Sequence, residues 1–178
     1  MINSLYLSYR TLGRLLRSQA GIWHGICSNS SLAASTLHDV PRSGGASMAN
    51  PLQLRMLCAD VDKWNQWRAQ NPAVRVDLRG GDLTQSDLRL VNLREADLRE
   101  VMLVLANLSG ADLRGADLRN ANLVGARMIG ADIADTDLRG ADLRTAEDLT
   151  PEQIFGTRGD RSTILPEPLQ HPDHWPSS

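Results

Sequence analysis

The chain has 178 residues, 42% of them hydrophobic, and a formal net charge of −2. That is the size of one small domain, and its near-neutral charge argues against a general polyanion binder. No apolar run is long enough to span a bilayer. Cys27 and Cys58 fit no metal or redox spacing, so a reducing, cytoplasmic compartment is the default expectation.

Residues 1–47 differ from the rest. They carry Arg10, Arg14, Arg17 and Arg42, many serines, and no acid before Asp39. Two readings stay open. The stretch has the composition of a transit peptide, which would direct the chain to an organelle. The favoured reading is a disordered or upstream extension ahead of a start at Met48, since Met48-Ala49-Asn50-Pro51 opens a folded-looking segment at once.

Residues 48–75 form a lead-in. Asn50 suits a helix N-cap and Pro51 the first turn. Leu54, Leu57, Val61, Trp64 and Trp67 recur at helical spacing, which predicts one helix from Asn50 to Gln70. Asn71-Pro72 ends it.

From Val76 to Thr145 the sequence repeats every five residues, fourteen times in register. The third position is always Leu, Met or Ile, from Leu78 through Met128 and Ile133 to Leu143. The first is small, as in Ala96 or Ala111; the second is mostly Asp or Asn. The fourth is often Arg and the fifth often Gly. A helix would smear such a period around its surface, and a flat strand needs a period of two. A chain that turns a corner every pentad accommodates it, with Gly easing the corner dihedrals, and stacked coils then bury the Leu and Ala columns. The units A-(D/N)-L-x-x, as in Ala111-Asp112-Leu113-Arg114-Gly115, resemble the pentapeptide repeat family. The resemblance implies an all-β solenoid: a right-handed quadrilateral parallel β-helix of about 3.5 coils, roughly 17 Å tall, with short capping helices at both ends. An open solenoid end exposes unpaired backbone, and the Trp64/Trp67 pair is expected to serve as a lid.

Residues 146–178 supply a second cap. Thr150-Pro151-Glu152-Gln153 is a capping box with Pro in the first turn, which predicts a short helix through Phe155. The Pro-rich tail from Gly156 reads as irregular, with Leu165, Leu169 and Trp175 available to pack back. His171, Asp173 and His174 lack the further ligands a metal site needs.

The outward positions hold whatever function there is. Residues twenty apart share a face, so Asp77, Asp97, Asp117 and Asp137 form one column beside Arg79, Arg99, Arg119 and Arg139. This charged face reads as solvated, since exposed pairs contribute only about 0–1 kcal/mol. Val101-Met102-Leu103-Val104-Leu105 breaks the polar pattern. With Leu103 inward, Met102, Val104 and Leu105 point out; Val124 stacks over Val104, and Ile129 follows on the next face beside Arg127. This apolar patch is the candidate protein-binding site, unless a terminal segment folds over it. No catalytic constellation, cofactor motif or basic nucleic-acid patch appears. The expectation is a non-catalytic scaffold or protein-interaction module that binds an unknown protein or itself. The alternative is an acidic DNA mimic that modulates or protects a type II topoisomerase, a role the resemblance brings. Mimicry needs a mostly acidic surface, whereas residues 76–145 hold twelve acids against nine arginines.

Overall fold

The computed structural model describes residues 49–176. The readings made for residues 1–47 lie outside the described residues. Two helices open the described chain: α1 (Pro51–Ala59) and α2 (Val61–Gln70). The single helix expected from Asn50 to Gln70 is broken at Asp60, whose backbone is extended (φ −170, ψ 111). Its carboxylate accepts from Lys63 N at 3.0 Å and so caps α2. Asn50 caps α1, accepting from Leu52 N and Gln53 N.

The repeats then wind into a four-sided coil. Parallel bridges join each second-position residue to the one twenty further on, from Asp77↔Asp97 to Arg127↔Glu147. Four pentads therefore make one tier. Face A holds residues 76–80 and those twenty, forty and sixty further on; faces B, C and D start at Gly81, Ser86 and Val91. The sides are single bridges rather than strands of any length, because each corner leaves only a few extended residues between turns.

Backbone accounting explains the consensus. In a tower pentad such as Ala96–Glu100, Asp97 N donates down to Val76 O at 2.9 Å, while Leu98 N donates up to Asp117 O at 2.9 Å. Glu100 N also donates up, to Arg119 O, and the next residue's N closes the turn on Leu98 O. That leaves the fourth-position N–H, and the second-position Asp or Asn takes it: Thr84 N reaches Asp82 Oδ1 at 3.0 Å, Ser109 N Asn107 at 3.1 Å, and Val124 N Asn122 at 3.2 Å. The short acidic or amide side chain is there to close an Asx turn.

The fifth position is left-handed in all fourteen pentads, with φ between 56° and 70°. Only six of them are Gly. The corner thus fixes backbone conformation whether or not the residue suits it.

The core is the stack of third-position side chains, Leu78 to Leu143, interleaved with small first-position residues, all buried. At about 1.5–3 kcal/mol per buried Leu, this column dominates stability.

Below the first tier, α1 and α2 supply side chains where another coil would lie. Gln53 Oε1 accepts from Asp77 N at 2.8 Å, and its Nε2 donates to Arg75 O. Asn65 does the same on face D, accepting from Asn92 N at 2.8 Å and donating to Leu90 O. Trp64, fully buried, donates Nε1 to Asn92 O at 2.8 Å and packs at a tilt against Trp67, with ring centroids 5.3 Å apart.

At the upper end α3 (Pro151–Phe155) carries the expected capping box. The tail beyond it is not irregular throughout. Arg158 bridges to Asp137 and Ile164 to Asp142, so faces A and B gain one more rung. Thr157 and Thr163 take the inward first position and satisfy their hydroxyls on Ile154 O and Leu138 O. Gly159 stands where a Leu would stand lower down. Trp175 lies against its α-carbon, leaving no room for a side chain, and donates Nε1 to Thr157 O at 3.1 Å.

Candidate functional site

On face A each arginine closes on the aspartate two residues before it. Arg79 Nε and Nη2 reach Asp77 at 2.9 and 2.7 Å, and Arg99, Arg119 and Arg139 repeat the geometry on Asp97, Asp117 and Asp137. Residues i and i+2 project from the same side of extended chain, so every Asp-Leu-Arg pentad forms such a clasp, including those at Asp87, Asp112 and Asp142. Weaker contacts link tiers, as from Arg79 Nε to Asp97 Oδ2 at 3.5 Å.

The column is not uniformly solvated. Asp97 is only 3% exposed and is approached by Arg75, Arg79 and Arg99. Burial alone would raise its pKa; the hydrogen bond from Arg99, with the charges of Arg99 and Arg79, outweighs burial and holds it below the ordinary carboxylate range. Asp77 and Asp112 are lowered chiefly by their own arginines.

Face B differs in its second and third tiers. Met102 is 41% exposed and Leu105 56%, with Val104 and Val124 half-buried between them. Ile129 is exposed, but it stands at the far end of face C, next to the corner where Leu90 lies two tiers below. Four of the five expected patch residues therefore share one face and its corner; the fifth does not. Leu90 was missed, although a Leu in the fifth position was the available signal.

The pentad Val101–Leu105 breaks two local rules at once. Met102 has no oxygen with which to accept from Val104 N, so the Asx turn of the Asp and Asn pentads is absent here, as it is where Arg127 takes the second position. Leu105 sits at φ 57°, a conformation bulky side chains avoid. Its Cδ2 lies 2.6 Å from where a Cβ on Gly125 would stand, so the Leu fits only because Gly is above it. Leu90 beneath Gly110 repeats the arrangement at 2.7 Å.

Other hollows are open and shallow. One of about 620 Å³ lies between the α1–α2 elbow and the foot of face C, lined by Leu57, Cys58, Val61, Arg89 and Leu90 among others. In the tail, His171 Nε2 lies 2.7 Å from Thr163 O, and His174 packs edge-on to Phe155 at 5.0 Å. Among the described residues no group of three metal-ligating side chains gathers, and no helix is long and apolar enough to cross a membrane.

A tower of five-residue repeats with i/i+20 bridges defines the class, and comparison with known proteins agrees. The family model described as pentapeptide repeats matches residues 74–110 and 106–144, in eight copies. This part of the chain belongs to the pentapeptide repeat family, whose fold is the right-handed quadrilateral β-helix.

Among solved structures, a pentapeptide repeat protein from the cyanobacterium Cyanothece 51142 is 35% identical over 49% of this chain and 59% of its own, with TM-score 0.45. HetL from Nostoc sp. strain PCC 7120, involved in heterocyst differentiation regulation, is 35% identical over 51% of this chain and 34% of its own, with TM-score 0.29. A third, from Nostoc PCC 7120, is 27% identical over 62% of this chain and 88% of its own, with TM-score 0.34. The first two matches span less than two thirds of those proteins' own lengths. No curated protein matches the chain.

Proposed function

We propose that this chain is a non-catalytic protein-interaction module. On this reading it is a pentapeptide-repeat tower of about three and a half coils, capped by α1–α2 below and by α3 and the tail above. It binds a protein partner, or itself, through Met102, Val104, Leu105 and Val124, with Ile129 at the margin. One observation carries the reading: in Val101–Leu105 the tower gives up its Asx turn and holds a bulky residue at positive φ, yet exposes the side chains. Departures from local consistency that bring no packing gain are characteristic of functional surfaces. The alternative, mimicry of duplex DNA toward a topoisomerase, needs unneutralised acid. The clasps on face A remove it from the column where it is densest.

The test is affinity capture from native lysate with the full chain and with a Met102→Gln/Leu105→Gly variant. Circular dichroism confirms that the variant is folded. A protein held by the parent chain and lost by the variant is expected. A partner held equally by both, or by neither, overturns the assignment.

A further inference from the structure

Charge pairing on the tower is close to complete, and the exceptions cluster. All nine arginines between residues 76 and 145 make ion pairs. Of the twelve acids there, nine are paired: the seven clasped aspartates, Glu95 with Arg94, and Asp132 with Arg114. Among the described residues, Asp82, Glu100 and Asp135 have no ion pair.

Two of these three frame the apolar strip. Asp82 is bridged to Met102 and lies directly beneath it. Its pentad reads Asp-Leu-Thr, so no arginine stands two residues on. Its carboxylate accepts only Thr84 N, which leaves the charge uncompensated. Glu100 occupies the corner two residues before Met102, exposed and at φ 59°. Its charge acts on Arg79, but that arginine is already closed on Asp77. At the top of the same face, Asp142 and Arg144 neutralise one another. The strip is thus apolar at mid-height and acidic along its foot and one edge.

We propose that the occupant of this strip is a cationic amphipathic segment of a partner protein. Its apolar side chains would lie on Met102, Val104, Leu105 and Val124, and its lysines or arginines beside Asp82 and Glu100. The proposal rests on the interaction reading above. Charge complementarity selects the partner and apolar contact holds it. A strip three rungs high, from Asp82 to the tier of Asn122 and about 10 Å between the first and last rung, suits a short segment better than a second globular face, since a stable globular interface needs about 800 Å² per side.

A random peptide library displayed on phage, selected on the full chain, tests this. Peptides rich in apolar residues plus Lys or Arg are expected. They should be lost on Met102→Gln/Leu105→Gly and weakened about tenfold by Asp82→Asn/Glu100→Gln, with the charge effect fading at high salt. Uncharged or acidic peptides that still require Met102 and Leu105 overturn the cationic partner and leave the strip as a binding site. Peptides indifferent to the Met102/Leu105 change, or no enrichment, overturn both. Enrichment that appears only after residues 1–48 are removed makes the chain's own N-terminal segment the occupant and overturns a partner in trans.

Discussion

Faces A and B have the same backbone: the same bridges, the same inward leucines, the same left-handed corners. Face A repeats Asp-Leu-Arg in every tier and closes each pair on itself. Face B keeps Asp-Leu-Arg only at Asp142 and gives its middle to Met102, Val104, Leu105 and Val124. The inward positions answer to packing and leave little choice. The outward ones answer only to the Asx turn and the corner. Val101–Leu105 gives up the Asx turn and places a bulky residue at the left-handed corner, and the proposed binding surface rests on that departure.

Breaking what the two faces share has the largest effect. Leu113 is fully buried, and Leu113→Asp places an unpaired charge in the column, so the chain should lose its fold, read as loss of the cooperative thermal transition by circular dichroism. Next comes the feature peculiar to face A. Asp97→Asn leaves Arg75, Arg79 and Arg99 around a neutral amide and should cost about 1–3 kcal/mol in chemical denaturation. Asn122→Ala on face B loses one half-exposed turn bond and should cost about 1 kcal/mol or less. Equal losses at the two positions would mean the charge ladder adds nothing.

Acid separates the faces in another way. Asp77, Asp87, Asp97, Asp112, Asp137 and Asp142 have folded pKa values below the ordinary 3.8. Their contribution is therefore complete above that value and is lost as pH falls through the lower folded values. Stability should fall on acidification below about pH 4, and Asp97→Asn should flatten that slope. An unchanged slope would show that Asp97 is not held down by its arginines.

The smallest effects probe the corner of face B. Gly125→Ala adds a Cβ against Leu105 at φ +67° and should cost about 1–2 kcal/mol. Combined with Leu105→Gly the cost should drop, because the contact is gone, and a double-mutant cycle reads the difference. Leu105→Gly alone should leave stability unchanged or raise it by up to about 1 kcal/mol. A clear loss would mean that the leucine serves packing, and the functional reading of that pentad would fail.

The repeat was legible because packing constrains it: fourteen inward residues in register leave one architecture. Three things escaped. Asp60 looks like a mid-helix residue by periodicity, yet it caps α2 and splits the helix. The extra rung of the tail hid because α3 and the loop after it shift the phase. Arg158 lies twenty-one residues after Asp137 and Ile164 twenty-two after Asp142, so counting in fives loses them, and Thr stands where Ala was expected. The closure of each arginine within its own pentad escaped because the sequence shows only that the Asp and Arg columns stand side by side, while the bidentate contact depends on side-chain geometry. At the site, the exposed pentad Val101–Leu105 was visible as a break in polarity. The unpaired state of Asp82 and Glu100 was not, since it depends on where every arginine goes.

Gln53 and Asn65 each present one oxygen and one N–H to the lowest rung, as a peptide unit would. A β-solenoid is in principle a seed: its end templates the next layer, and a fibre can grow from it. Here two amide side chains end the series on faces A and D. They are imitation rungs that accept the bonds and offer none onward. At that end growth is stopped by residues outside the repeat, Gln53 and Asn65 together with Trp64 and Arg68, whose side chains bond the carbonyls of Asn92 and Arg94.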